Sequence, residues 1–307
     1  MRILITGSAG RLGRSVYPEL EKRGHTVVGI DLSDKAPSCD LEVDLLDAGE
    51  TYGAISRTRP DAIIHLAGLA TPFGRPEHVL FATNTQSTFH VCQAGADLGV
   101  QTVLCASSPT VIGYGNPKGW SPSYLPLDED HPTCPWHAYG MSKIAIEAIV
   151  RGFAVQQNDG ARYFAFRPCY VVAPEEWEPG STTQIGHTMT ERLLSPGLAA
   201  VSLFNYIDAR DAAALAATIC ERAASLPNGE CFFASADDAL ATKPLAELLP
   251  AFVSSTAPFA KALSGTRAAF SNAKAARLLG WKPERSWREF INLATSAQPN
   301  QRRLETC

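Results

Sequence analysis

The residues that most constrain this chain stand at its start, where Arg2-Ile3-Leu4-Ile5-Thr6 runs into Gly7-Ser8-Ala9-Gly10-Arg11-Leu12-Gly13. An apolar run of strand length ends in a glycine-rich turn, and a helical pattern (Leu12, Val16, Leu20) follows at once. Glycine lets the backbone turn sharply and lets a pyrophosphate approach the amides at a helix start. The next strand, Thr26-Val27-Val28-Gly29-Ile30, ends in Asp31. An acidic residue at about this distance accepts hydrogen bonds from an adenosine ribose and repels a 2′-phosphate. The expected cofactor is therefore NAD rather than NADP, held by Gly7, Gly10, Arg11, Leu12, Gly13 and Asp31. Arg11 and Lys35 are the two cations placed to reach a phosphate.

Strand and helix patterns go on alternating through the first half. Residues 62–68, 101–106 and 162–167 read as further strands, and 77–98 and 139–157 as long helices. Pro and Gly cluster over 113–135, predicting a long loop, and one more βα unit stands near 206–222. The alternation predicts an α/β fold, a Rossmann-type doubly wound parallel sheet with a smaller C-terminal substrate-binding lobe. Residues 1–173 are expected to form the NAD-binding part, with 206–222 returning to it, and 174–307 mainly the substrate lobe. A net charge of −4 leaves no basic surplus for nucleic acid. The first strand opens at Arg2, leaving no room for a signal peptide, and no apolar run spans a membrane, so a cytoplasmic protein is expected. The eight cysteines lack Cys-x-x-Cys or Cys/His spacing, so buried free thiols are expected rather than disulfides or a metal site. From residue 298 the chain ends in a polar tail.

Tyr139-Gly140-Met141-Ser142-Lys143, with Ala106-Ser107-Ser108 upstream, carries the chemistry. At i, i+4 the phenol and the ammonium share one helix face. A free tyrosine titrates near pH ~10, and lowering it by ~2–3 units takes roughly 3–4 kcal/mol of preferential stabilisation of the phenolate. The Lys143 ammonium and the positive charge of a bound nicotinamide are expected to supply it. Tyr139 would then exchange a proton with a substrate hydroxyl or carbonyl.

Taken together, these residues resemble the extended short-chain dehydrogenases/reductases of the NAD-dependent epimerase/dehydratase group, over nearly the whole chain. The resemblance implies that residues 6–13 are the group's Thr-Gly-x-x-Gly-x-x-Gly loop. It implies that Asp44-Leu45 hold the adenine and that Leu66-Ala67-Gly68 turn beside the ribose and pyrophosphate. Asn84 matches the asparagine of an Asn-x-x-Gly-Thr stretch, with Ser87 in place of its glycine, and is thereby implied in the site. Ser108 stands where the group carries its catalytic serine or threonine, with Ser107 and Thr110 beside it on the substrate side. After Arg167-Pro168, the residues Cys169, Tyr170 and Val171 pass the nicotinamide, with Pro168 and Val171 implied on the cofactor and Tyr170 on the substrate. Residues 206–211 resemble a later substrate-side stretch, and 271–283 the closing helix and turn. The resemblance also implies a homodimer paired through the two long helices.

Other residues have plainer readings. His65 reads as a packed strand-end residue, Cys169 as a small packed one and Trp177 as a packing tryptophan, while His131 and His137 read as solvated loop residues. Nucleotide-sugar members of the group carry a Gly-Asp-Gly-x-x-x-Arg-Asp stretch before their Tyr-Ile/Val motif, and residues 196–205 lack those charges. Ser108 is followed by Pro109-Thr110, without a dehydratase's acidic residue. A small sugar, sugar acid or polyol is the expected substrate. Residues 106–114 resemble those of short uronate dehydrogenases, but Glu175, Glu176 and Glu178 stand where those enzymes carry a carboxylate-binding arginine. That favours a neutral polyhydroxy ligand unless another arginine, such as Arg75 or Arg192, enters the site. Three classes stay open: a dehydrogenase, a nucleotide-sugar epimerase that retains NAD, and a catalytically silent dinucleotide sensor.

Overall fold

The computed structural model describes residues 1–32, 36–158 and 160–293. The chain begins with β1 (Arg2–Thr6), α1 (Gly13–Lys22), β2 (Thr26–Asp31), β3 (Leu41–Glu42), α2 (Ala48–Thr58) and β4 (Ala62–His65). Two long helices, α3 (Glu77–Asp97) and α4 (Ala138–Gln157), stand on either side of β5 (Thr102–Ala106) in the sequence. Then come β6 (Arg162–Pro168), β7 (Val171–Val172), α5 (Met189–Leu194), α6 (Pro196–Ala200) and β8 (Ile207–Asp208). The last elements are α7 (Ala209–Arg222), β9 (Cys231–Ala234), α8 (Leu245–Phe252) and α9 (Ala273–Leu279).

Among the described residues, seven strands form one sheet in the order β3-β2-β1-β4-β5-β6-β9, and every pairing in it is parallel. β7 and β8 pair separately. Strand order runs outward in both directions from the β1–β4 pair, and such a switch point opens a crevice at the strands' carboxyl ends. Alternation along each strand builds the layers on both faces. Ile3 and Ile5 pack with Val16, Leu20 and Ile219 on one side, while Leu4 packs with Val91 and Val150 on the other. β6 divides in the same way, with Phe164 and Phe166 on the first side and Tyr163 and Ala165 on the second.

The chain returns to the sheet twice after residue 173. α7 packs against α1, and β9 then adds a seventh strand beside β6. This last strand, Cys231-Phe232-Phe233-Ala234, did not stand out in the sequence because it is four residues long and apolar without alternation. Residues 113–135 hold no regular helix or strand. They are pinned by Cys134 N donating to Val111 O at 2.9 Å and by Leu127 N donating to Ala269 O at 2.7 Å.

Candidate active site

The turn after β1 shows why its glycines are needed. Gly7 lies at φ +72°, and a Cβ there would fall 2.6 Å from the Ala67 amide nitrogen. A Cβ on Gly13 would fall 2.3 Å from Gly7 O. The turn after β4, Leu66-Ala67-Gly68, thus presses against the first turn with no room for side chains. Asp31 at the end of β2 accepts from Ala9 N at 2.9 Å and from Leu32 N at 2.7 Å, which holds its carboxylate beside that turn. Asp44 accepts from Leu46 N at 2.9 Å. The cap of α2 is Asp47, which accepts from Glu50 N at 3.0 Å, so Asp44 is not spent as a helix cap.

Gly7, Gly10, Arg11, Leu12 and Gly13 line one wall of a cavity of about 870 Å³. Asp31, Asp44, Leu45 and the 66–68 turn continue it, and Ser108, Thr110, Tyr139 and Lys143 stand at its other end with Pro168, Tyr170 and Val171. A dinucleotide fits this donor set: a side-chain-free turn at a helix start, a carboxylate at the end of β2, and apolar walls between them. Lys35 lies outside the described residues. Arg11 pairs with Glu176, which ties the first turn to the segment after β7.

At the reacting end, Tyr139 and Lys143 sit on the first turns of α4, both buried. Lys143 Nζ donates to Ala106 O at 2.9 Å and lies 5.6 Å from the Tyr139 ring centroid. Burial brings the Lys143 ammonium down to about 8. Burial also raises the Tyr139 phenol above its ordinary value, and hydrogen bonding from Ser108 opposes the rise. The protein alone therefore does not produce the lowered tyrosine that the i, i+4 spacing suggested, because both groups are desolvated together. Ser108 Oγ accepts from Thr110 Oγ1 at 3.0 Å, which leaves its own hydrogen for the Tyr139 oxygen or, in its place, a substrate oxygen.

Two site residues expected from the sequence are committed elsewhere. Ser107 borders the cavity, but its hydroxyl donates to the buried Glu147 Oε1 at 2.6 Å. Asn84 is 1% exposed and does not line the cavity. It accepts from Leu69 N at 2.8 Å and donates to Leu69 O at 3.2 Å and Ser142 Oγ at 3.1 Å, tying the 66–70 turn to α4. The two loop histidines are a correction as well, since both are buried rather than solvated. His131 Nε2 accepts from Ser123 N at 2.9 Å, and His137 Nδ1 caps α4 by accepting from Gly140 N at 3.0 Å. Other plain readings hold. His65 is buried between Thr6 Oγ1 at 2.7 Å and Thr88 Oγ1 at 3.1 Å. Burial pushes the Cys169 thiol up to about 12. Trp177 stacks on Phe290 and donates to Asp208 Oδ2 at 2.8 Å. The described cysteines are free, although Cys134 is exposed rather than buried.

The sequence reading did not single out Asn205 or Tyr114 as contacts. Asn205 Oδ1 accepts from Tyr170 N at 2.9 Å, and Tyr114 is buried nearby. Both line the cavity. The only signal was their place beside motifs, Asn205 before Tyr206 and Tyr114 after the 106–113 stretch. Among the described residues, no helix is long and apolar enough to cross a membrane.

The profile of the NAD dependent epimerase/dehydratase family matches residues 3–233. A UDP-glucose 4-epimerase of Bacillus subtilis is 30% identical over 185 residues, covering 53% of this chain and 52% of that protein. A uronate dehydrogenase of Pseudomonas syringae is 30% identical over 147 residues, covering 46% of this chain and 50% of that protein. The chain spans about half the length of the curated relatives it matches. Among solved structures, a short-chain dehydrogenase/reductase superfamily protein from Agrobacterium tumefaciens with bound NAD has the same fold, with a TM-score of 0.70 over 97% of each chain at 24% identity. The parallel sheet, the glycine turn on its switch point and the extent of the family match agree: this chain belongs to the NAD dependent epimerase/dehydratase family.

Proposed function

We propose that this enzyme moves a hydride between NAD and a hydroxyl or carbonyl carbon of a small sugar-like substrate, with Tyr139 exchanging the proton. One observation carries the reading: Ser108, Tyr139 and Lys143 converge at one end of the cavity whose other end is built for a dinucleotide. Bound NAD supplies the hydride acceptor or donor. Tyr139 takes the hydroxyl proton in the oxidative direction and returns it in the reductive one. Its buried phenol resists ionisation, so proton removal depends on positive charge arriving beside it, from Lys143 and the cofactor. Lys143 spends one N–H on Ala106 O and keeps two for a ribose hydroxyl and the phenolate. Ser108 holds the reacting oxygen with the hydrogen that Thr110 leaves free. Asn84 acts at one remove, as a positioning residue that joins the 66–70 turn to α4. Asp31 favours NAD over NADP through its carboxylate. We further infer a cytoplasmic homodimer paired through α3 and α4, which carry the exposed Phe81, Phe89 and Met141.

The UDP-glucose 4-epimerases among its relatives keep a second reading in play, in which the hydride returns to the opposite face of the same substrate. Absorbance at 340 nm with excess NAD, across neutral sugars, polyols, uronates and nucleotide sugars, separates the two. NADH that accumulates marks a dehydrogenase, and an inverted product without NADH marks an epimerase. Tyr139→Phe is expected to lower kcat by ~10²–10⁴-fold with NAD binding retained. Turnover left intact in that variant would refute the assignment, and NAD binding with no turnover of any substrate would leave only the sensor.

A further inference from the structure

Among the described residues, no anion stands beside a buried cation on the cavity wall beyond Tyr170. Arg192 on α5 is 0% exposed and lines the cavity together with Tyr170, Ser202 and Asn205. Its Nη2 reaches Ser202 Oγ at 3.4 Å, while Nε and Nη1 have no hydrogen-bond partner among the described residues. The guanidinium lies over the Tyr170 ring, 4.3 Å from its centroid, and the Tyr170 hydroxyl is itself buried without a partner among the described residues. Stacking on a ring holds a guanidinium in place while leaving its N–H edges free.

The carboxylates that appeared set to repel an anion are turned elsewhere. Glu176 pairs with Arg11 and accepts from Ala173 N at 2.7 Å. Glu175 pairs with Arg14. Glu178 is exposed and lies off the cavity. Among the described residues, none of the ion pairs includes Arg192, and burial lowers its pKa without a carboxylate to offset the cost. A charge taken out of water in this way is expensive unless something charged completes it.

We propose that Arg192, with the Tyr170 hydroxyl, receives an oxyanion of the substrate, so that the enzyme acts on an acidic hydroxy compound, a carboxylate or a phosphate ester, rather than on a neutral polyol. The reaction performed on that compound rests on the oxidoreductase reading above; the binding site does not. Calorimetric titration of the protein–NAD complex with glucose, glucuronate, glucose 6-phosphate and UDP-glucose tests it directly. At least one anionic probe is expected to bind ~100-fold more tightly than glucose, a difference of ~2.8 kcal/mol. A preference for glucuronate identifies a carboxylate, and a preference for glucose 6-phosphate or UDP-glucose identifies a phosphate. Arg192→Met is expected to abolish the preference with NAD affinity unchanged, and Arg192→Lys to restore part of it. Equal binding of glucose and the anions, failure of every anion to bind, or an intact preference in Arg192→Met would overturn the proposal. So would weaker NAD binding in that variant, which would assign the guanidinium to the cofactor's own phosphates. Arg192-dependent anion binding without hydride transfer to or from any probe would sink the oxidoreductase reading and leave the anion site standing.

Discussion

Two buried arginines stand within this molecule in opposite circumstances. Arg167, near the end of β6, is 3% exposed and grips Glu147 of α4 with two hydrogen bonds, Nε to Oε1 at 2.8 Å and Nη2 to Oε2 at 2.9 Å. Ser107 adds its hydroxyl to the same carboxylate, so strand, helix and the turn before Ser108 are locked together behind the reacting groups. Burial alone would lower the Arg167 guanidinium, but Cys231 and the paired Glu147 outweigh it and hold it above its ordinary value. Arg192 is buried more deeply, has a ring for a neighbour in place of a carboxylate, and is pulled the other way. A bidentate pair completes a charge inside the fold and makes it architecture. An incomplete charge on a cavity wall is what the proposed anion site rests on.

The comparison breaks first at Glu147. Replacing it with alanine strands Arg167 in the interior, and such a loss costs ~3–5 kcal/mol of folding stability. Urea unfolding of Glu147→Ala measures it; a cost under about 1 kcal/mol would mean that the pair is not structural. Arg192→Met should behave oppositely. Exchange of a buried charge for an apolar side chain is often neutral or stabilising by up to ~4 kcal/mol, so the ligand-free variant should unfold at the same urea concentration as the parent or a higher one. A clear destabilisation would show that Arg192 is satisfied within the fold and is not held for a ligand.

The smallest effect concerns His65, a buried titratable group that is paired but neutral. Burial pulls its imidazole down to about 3 from an ordinary value of 6.5. The unfolded chain therefore takes up a proton below pH 6.5 that the folded chain refuses until about 3. This group's contribution is fully present above pH 6.5 and is lost as pH falls toward 3. Between pH ~6.5 and ~5 the loss is roughly 1–2 kcal/mol, and His65→Gln should flatten that acid limb in unfolding measured against pH. An identical limb in the variant would assign the acid sensitivity to other groups.

Legibility divided along the same line as the two arginines. The turn after β1 could be read from residue types because it is made of backbone: Gly13 is demanded by a close approach to Gly7 O six residues back, Gly7 by its positive φ, and Asp31 by its place at a strand end, although the Ala67 backbone that also crowds Gly7 comes from far along the chain. Tyr139 and Lys143 could be read because four residues on a helix is a fixed distance. The histidines of the 113–139 segment were misread because a loop looks solvated in sequence, yet this one is folded down onto the sheet's edge and buries both rings. Ser107 and Asn84 were placed in the site by their neighbours in the chain, whereas their hydrogen-bond partners, Glu147, Leu69 and Ser142, lie 15 to 58 positions away.

By itself the sequence determined the parallel sheet, the dinucleotide turn and the helix that carries Tyr139 and Lys143, since each depends on short-range spacing and backbone freedom. Only the tertiary structure decided which charges are complete. Whether an arginine meets a carboxylate or an open cavity depends on elements far apart in the chain, such as α4 with β6, or α5 with Tyr170. A carboxylate next door in sequence, as Glu175 and Glu176 show, turns toward whichever cation the fold brings to it.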